Sequence, residues 1–271
     1  MNPDLKLVNG GGGPQPLPVI ETLKMSFTFI RSNIVPILRV SVIPILSIIA
    51  VFELFGLFDP GQEPASLAPT ALASLVSGAA MAIVMAAIGR MVLFNDMPQN
   101  FGLPVFGRQE LQTWMASILS GVLTALAGAL PGALVYAMTG SAGLAIILAM
   151  VPIIYVAILL ALIYPIILTS GRIDFRRSVE MSKGSWFRLL AIILLASMIT
   201  FLAAFFVVSL FFGVVTIFLG EEGLNDFAAT ATAMFMVAIQ MLMASVNIVV
   251  VSFSFRWIDY YSPDPLLRDQ Q

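Results

Sequence analysis

The chain has 271 residues, of which 59% are hydrophobic and only 10% charged, with a net charge of −2 and a mean hydropathy of +1.00. Soluble domains carry about 25% charged residues, so a soluble fold is excluded, and the near-neutral charge gives no reason to expect nucleic acid as a partner. Cysteine and histidine are both absent, which removes disulfides, thiol nucleophiles, thiolate metal sites and the commonest general base. A carboxylate site for a hard cation stays open, but no catalytic residue, metal site or cofactor is expected.

In chain order, residues 1–18 read as a flexible tail: glycines run from Gly10 to Gly13, with Pro14, Pro16 and Pro18 just after them. There is no apolar h-region, so this is not a signal peptide. Next comes IETLKMSFTFIRSN. Ile20, Leu23, Phe27 and Ile30 recur at helical spacing with Glu21, Lys24, Thr28 and Arg31 on the other faces. That pattern predicts an amphipathic helix suited to the membrane surface. Asn33 then breaks or caps it, and Pro36 falls in the first turn of the next helix, where proline is tolerated.

Six apolar runs reach the roughly 18 residues that a helix needs to cross a bilayer. They lie near 34–57, 70–94, 112–138, 143–169, 187–218 and 227–256. The last two are longer than the hydrocarbon requires, so they tilt or protrude. The predicted class is all-α: a polytopic membrane bundle of six transmembrane helices with cytoplasmic surface helices. It occupies 19–258, and 259–271 forms a second tail.

Charge sets the orientation. With both termini on one side, all thirteen Lys and Arg fall on that side or in span ends facing it. The other side has none, but it carries Glu53, Asp59, Glu63, Glu221, Glu222 and Asp226. The positive-inside rule then places both termini in the cytoplasm. The connections at 58–69, 139–142 and 219–226 are too short to hold a soluble domain.

The stretch RRSVEMSKGSWFR, 176–188, holds Arg176, Arg177, Lys183 and Arg188. Asp174 can cap a helix starting at Phe175. Glu180 can pair with Arg176, Arg177 or Lys183. Gly184 can end the helix as a C′ residue, Ser185 can cap the next, and Trp186 suits the headgroup level. Ser26…Arg31-Ser32-Asn33 aligns with Ser178…Lys183-Gly184-Ser185, and each set leads into a span. This suggests a repeated unit of surface helix plus hairpin.

The pattern Arg177-Ser178, Ser182-Lys183-Gly184, Trp186-Phe187-Arg188 ahead of an apolar run resembles a group of bacterial multipass proteins. It is similar to the membrane domain associated with some glycerophosphoryl diester phosphodiesterases. IGRMVLFND with Arg90 and SFRWIDYY with Arg256 add to the likeness. The resemblance implies the membrane architecture. It does not imply the activity, because the phosphodiesterase chemistry belongs to a separate soluble domain and is expected to use histidine.

Each candidate site has a plain alternative. Arg176, Arg177, Lys183, Trp186 and Arg188 are candidates for contact with anionic lipid or a partner, or else they set topology alone. Arg39 snorkels to the interface or pairs with Glu110 or Glu180. Arg90 anchors its span end or takes part in binding. Glu53 reaches water or carries protons. Gln240, Asn247 and Ser254 share one face of the last span. They hydrogen-bond across helices, or line a path opposite Tyr155 and Tyr164. Gly128 to Gly132 form a GxxxG, and Ser74, Gly78, Ala82 and Ala86 form a small-residue stripe. Both permit close packing or a dimer face.

The functional expectation is an integral inner-membrane protein without enzymatic activity, serving as a scaffold, accessory or lipid-interacting protein. Its expected partners are membrane lipids and either a membrane protein or a second copy of itself. The alternative is a small-molecule or lipid transporter with a polar path along the last span.

Overall fold

Long apolar runs satisfy their own backbone in hydrocarbon only as helix. A computed structural model of the protein describes residues 16–55, 67–97 and 107–261; of 67, 68, 218–230 and 233 it describes the backbone alone. Among these residues there are eight α-helices and no strand. They are α1 (Val19–Ser32), α2 (Ile34–Leu54), α3 (Leu67–Phe94), α4 (Arg108–Thr139), α5 (Ala142–Leu160), α6 (Ile163–Ser170), α7 (Phe175–Lys183) and α8 (Trp186–Tyr260). Six stretches are long and apolar enough to cross a membrane: Ile34–Leu54, Pro69–Phe94, Arg108–Thr139, Ala142–Ser170, Trp186–Ile217 and Met234–Tyr260. The chain is therefore an all-α, multipass integral membrane protein. The first tail lies almost wholly outside the described residues, as does most of the second.

The connection expected at 219–226 is helical backbone, and α8 runs for 75 residues. A straight helix of that length would measure about 110 Å. Yet Ser197 Oγ lies 3.4 Å from Asn247 Oδ1, and the rings of Phe211 and Phe235 meet at 4.7 Å. Both pairs are centred near residues 222 and 223, so α8 doubles back there as two antiparallel spans.

The fourth apolar run is not one helix. It breaks at Ala161–Leu162, where Ala161 N–H turns back to the Ile158 carbonyl at 3.2 Å. Pro165 explains the break, because its ring crowds the carbonyl four residues earlier and it has no N–H to donate. α5 alone, at 19 residues, is about 28 Å long. That is close to the roughly 30 Å hydrocarbon thickness. In α6 six of the eight residues are buried, from Ile163 and Pro165 to Thr169. α6 is thus enclosed by protein.

Burial is uneven along the bundle. Leu168, Leu189, Ile192, Val250, Phe255, Leu93 and Leu162 form one core with Leu17 and Leu23. Ile37, Ile88, Met91, Val92, Val249 and Phe253 form a second. By contrast, Leu119 to Met138 of α4 and Leu144 to Val151 of α5 expose most of their large apolar side chains. The helices pack tightly at the end that carries the basic residues and present apolar surface beyond it.

This end also shows what α1 packs against. Leu23, Phe27 and Ile30 pack into the protein core, and Phe29 meets Phe253 of α8 edge-on at 5.8 Å. The apolar face of α1 packs on α8, with Ile20, 79% exposed, outside the contact. Asn33 does end α1: its side chain donates to the Phe29 carbonyl at 2.9 Å.

Most of the small residues serve packing within the chain, whereas Ser74 is exposed and bonds its own helix at Thr70. A Cβ on Gly128 would strike Ile153 of α5, and one on Gly132 would come within 3.2 Å of the Ala149 Cβ. The GxxxG is therefore the α4–α5 seam. In α3, Gly78 admits the Trp114 indole of α4, while Ala82 and Ala86 are fully buried.

Candidate functional site

Helices that end together leave their last carbonyls without partners. At the basic end, long polar side chains reach across to fill them. Arg256 Nη1 of α8 donates to the Val92 carbonyl in the last turn of α3 at 3.3 Å. Gln109 Nε2 of α4 donates to the Leu168 carbonyl in the last turn of α6 at 3.4 Å. Arg188 Nη1 donates to the Leu17 carbonyl ahead of α1 at 3.0 Å.

Arg90 is the hub of this layer. Its Nη1 donates to Glu110 Oε1 at 2.6 Å and to Gln109 Oε1 at 3.2 Å. Glu110 is only 4% exposed. Its second oxygen accepts the Gly107 N–H at 3.1 Å, the reach-back half of a capping box that starts α4. A carboxylate this buried is held by an ion pair plus a backbone donor. Arg90, read from sequence as an interfacial anchor or binding residue, is thus a tie between α3 and α4.

The α7–α8 corner is built on a different logic. Asp174 Oδ1 accepts the Arg177 N–H at 2.9 Å, so it caps α7 as expected. Ser178, fully buried, donates its hydroxyl to the Leu159 carbonyl at 2.9 Å, next to the break between α5 and α6. Trp186 Nε1 donates to the Tyr155 carbonyl at 3.4 Å, and the two rings pack at 5.5 Å. Between these contacts runs a groove of about 540 Å³ lined by Tyr155, Leu159 and the run Lys183 to Arg188.

Two details of the corner depart from the sequence reading. Gly184 has φ −71°, right-handed, so it ends α7 without a left-handed turn. Ser185 stands at the N-cap of α8, but its side chain makes no capping bond. No side chain caps the start of α8, and among its first N–H groups that of Arg188 bonds the Ser185 carbonyl at 3.0 Å. Lys183 is exposed, as is Phe187. Arg176 pairs with Glu180 at 2.8 Å on the exposed face. The hydrogen bond that Arg176 donates to Glu180, and then the Glu180 charge, hold the Arg176 guanidinium above its ordinary pKa. Arg177 is half-buried.

The remaining candidates are scattered. Arg39 is half-buried and engaged in an interaction. The close partner of Glu110 is Arg90, and that of Glu180 is Arg176. Glu53 is exposed in the last turn of α2. Its expected neighbours Asp59 and Glu63 lie outside the described residues, as do the side chains of Glu221, Glu222 and Asp226. Asn247 is half-buried against Ser197, and Ser254 is buried and bonds its own helix at Val250. Gln240, however, is exposed, so the polar face of the last span does not run inward along its whole length. Tyr155 sits beside Trp186, whereas Tyr164 lines a groove with α4 and also packs against the core that holds Ile248 and Val249 of the last span.

Sequence reasoning passed over the polar face of α4. Glu110, Thr113, Ser117, Ser120 and Thr124 recur at spacings of three and four, one side of one helix. Ser117, Ser120 and Thr124 line a second groove, about 470 Å³, together with Gly121, Ile153, Ala157, Ala161 and Tyr164. The spacing was visible in the sequence, but hydroxyls in a span usually bond their own backbone, and Ser117 does so at Thr113.

The fold and this layer of ties define a multipass helical membrane protein closed at one end by arginine and glutamine side chains. No protein-family model, curated protein or solved structure matches the chain.

Proposed function

We propose that the chain is a non-enzymatic protein of the bacterial inner membrane, with both termini in the cytoplasm. In this reading it acts as a scaffold or accessory subunit and grips anionic lipid headgroups or an acidic partner loop at the α7–α8 corner. The observation that carries the reading is the groove formed by Lys183, Trp186 and Arg188 at the uncapped start of α8. Anions suit such a helix start. Each basic residue near an anionic leaflet contributes about 1 kcal/mol. The depth is right as well: the groove flanks Tyr155 and Leu159, close to where α5 ends and protein-enclosed α6 begins. An architecture like the phosphodiesterase-associated membrane domain fits this role without its chemistry.

The test is native mass spectrometry of protein released gently from its own membrane. Retained anionic lipid or a stoichiometric partner, lost in R176Q/R177Q/K183Q, supports the reading. Equal retention by that variant sinks it.

A second reading, transport, is favoured by the Ser197–Asn247 pair between two spans. It expects Asn247→Leu to abolish solute flux in a folded protein. Unchanged flux removes it.

A further inference from the structure

α5 separates two grooves of opposite character. Tyr155 and Leu159 face the basic corner; Ile153, Ala157, Leu160, Ala161 and Tyr164 face α4. The lining of the second groove contains no charged residue. What it contains is neutral hydrogen-bonding chemistry without enough internal partners. Ser120 Oγ is buried and has no partner among the described residues. Thr113, on the same face two turns below and 1% exposed, also has an unpartnered Oγ1. The Ala161 carbonyl lies at the helix break, and Pro165 has no N–H to give it. Tyr164 and Ser117 line the same groove.

Irregular backbone at membrane depth is tolerated where it is enclosed or lines a cavity. Here it lines one. The groove begins at the level where α5 ends and rises along Ser120 and Thr124 into a span that is otherwise lipid-facing. That range covers the ester and hydroxyl region of a bilayer and the start of its acyl chains. Gly121, Ala125 and Ala157 keep the walls low enough to admit a chain, and the volume lies within the usual range for ligand sites. A phosphate would find no cation among the lining residues, whereas a hydroxyl or ester would find both donors and acceptors.

From this geometry we infer that the α4–α5 groove binds the glycerol region of an uncharged lipid of the diacylglycerol class. This goes beyond the proposed anionic contact and does not depend on it, since the two grooves share no lining residue.

The protein in phosphatidylcholine nanodiscs is photolabelled with a diacylglycerol carrying a diazirine in one acyl chain. Saturable labelling of 117–125 and 153–164 is expected. Unlabelled dioleoylglycerol should compete and phosphatidylglycerol should not. S120V/T124V removes two hydrogen-bonding groups and should cut labelling by about five- to tenfold. Ala157→Phe, which fills the groove, should do the same. Labelling that is non-saturable, that all lipids displace equally, or that both variants retain overturns the inference and leaves a groove holding water only. The competition series on the unmodified protein decides even if a variant does not fold. R176Q/R177Q/K183Q should label normally, which separates this result from the fate of the anionic site.

Discussion

Arg90 of α3 and Glu110 of α4 meet at 2.6 Å, with the carboxylate buried and the guanidinium partly open. Arg90 is the one charged residue of α3, so no other ion pair can join these two helices. Removing Glu110 alone strands a half-buried cation, whereas removing both charges does not. Glu110→Met is therefore expected to cost about 2–3 kcal/mol, and R90M/E110M distinctly less. Thermal unfolding in detergent for the four members of the cycle measures the coupling. Additive losses would mean that the pair contributes nothing to stability.

Ser178 of α7 donates to the Leu159 carbonyl of α5 across nineteen positions of chain. Ser178→Ala takes that donor away beside the α5–α6 break and is expected to cost about 1–2 kcal/mol. Hydrogen exchange should rise locally in α6 and α7. An unchanged exchange pattern would mean that the break is held by packing alone.

Gly128 lies where α4 and α5 touch, and a side chain there meets Ile153 and, at 3.3 Å, the Ala149 carbonyl. Gly128→Leu should separate the hairpin and lower the melting temperature sharply, since backbone cannot yield as a side chain does. Gly213→Ala, which meets nothing within 4 Å, is the control and should be neutral or slightly stabilising. Similar effects from both would contradict the seam.

The Arg176–Glu180 pair is exposed, and such pairs contribute little. The raised Arg176 pKa has a definite sign. Its contribution is complete below the ordinary arginine value and is lost only as pH rises through the still higher folded value. On the arginine side, stability should be flat across workable pH. Arg176→Gln is expected to leave the melting temperature unchanged, measured over a series of buffers. A clear shift would assign the residue a structural role.

The absence of native cysteine makes orientation directly measurable. Single cysteines at Lys6 and Arg268 should react with a membrane-impermeant maleimide only after the cytoplasmic face is opened. One at Asp59 should react in intact cells. The reverse pattern would invert the proposed topology.

Composition by itself determined the class of this protein. Apolar runs of membrane length leave the backbone no solvent but itself, so six helical spans and an all-α bundle are dictated by the sequence. Local chemistry was equally legible where it acts within a few residues, as in the Asp174 cap and the Asn33 stop. Tertiary structure decided the rest, because those outcomes depend on what faces what. Nothing in IETLKMSFTFIRSN says whether its apolar face meets lipid or α8; Phe253 decides it. Pro165 marks a kink, but only the folded chain places Ser178 against the freed backbone and encloses α6 in protein. Gln240, Asn247 and Ser254 share a period, yet the neighbours of the last span bury one, half-bury another and expose the third. Periodicity fixes which residues share a face, and only packing fixes what that face touches.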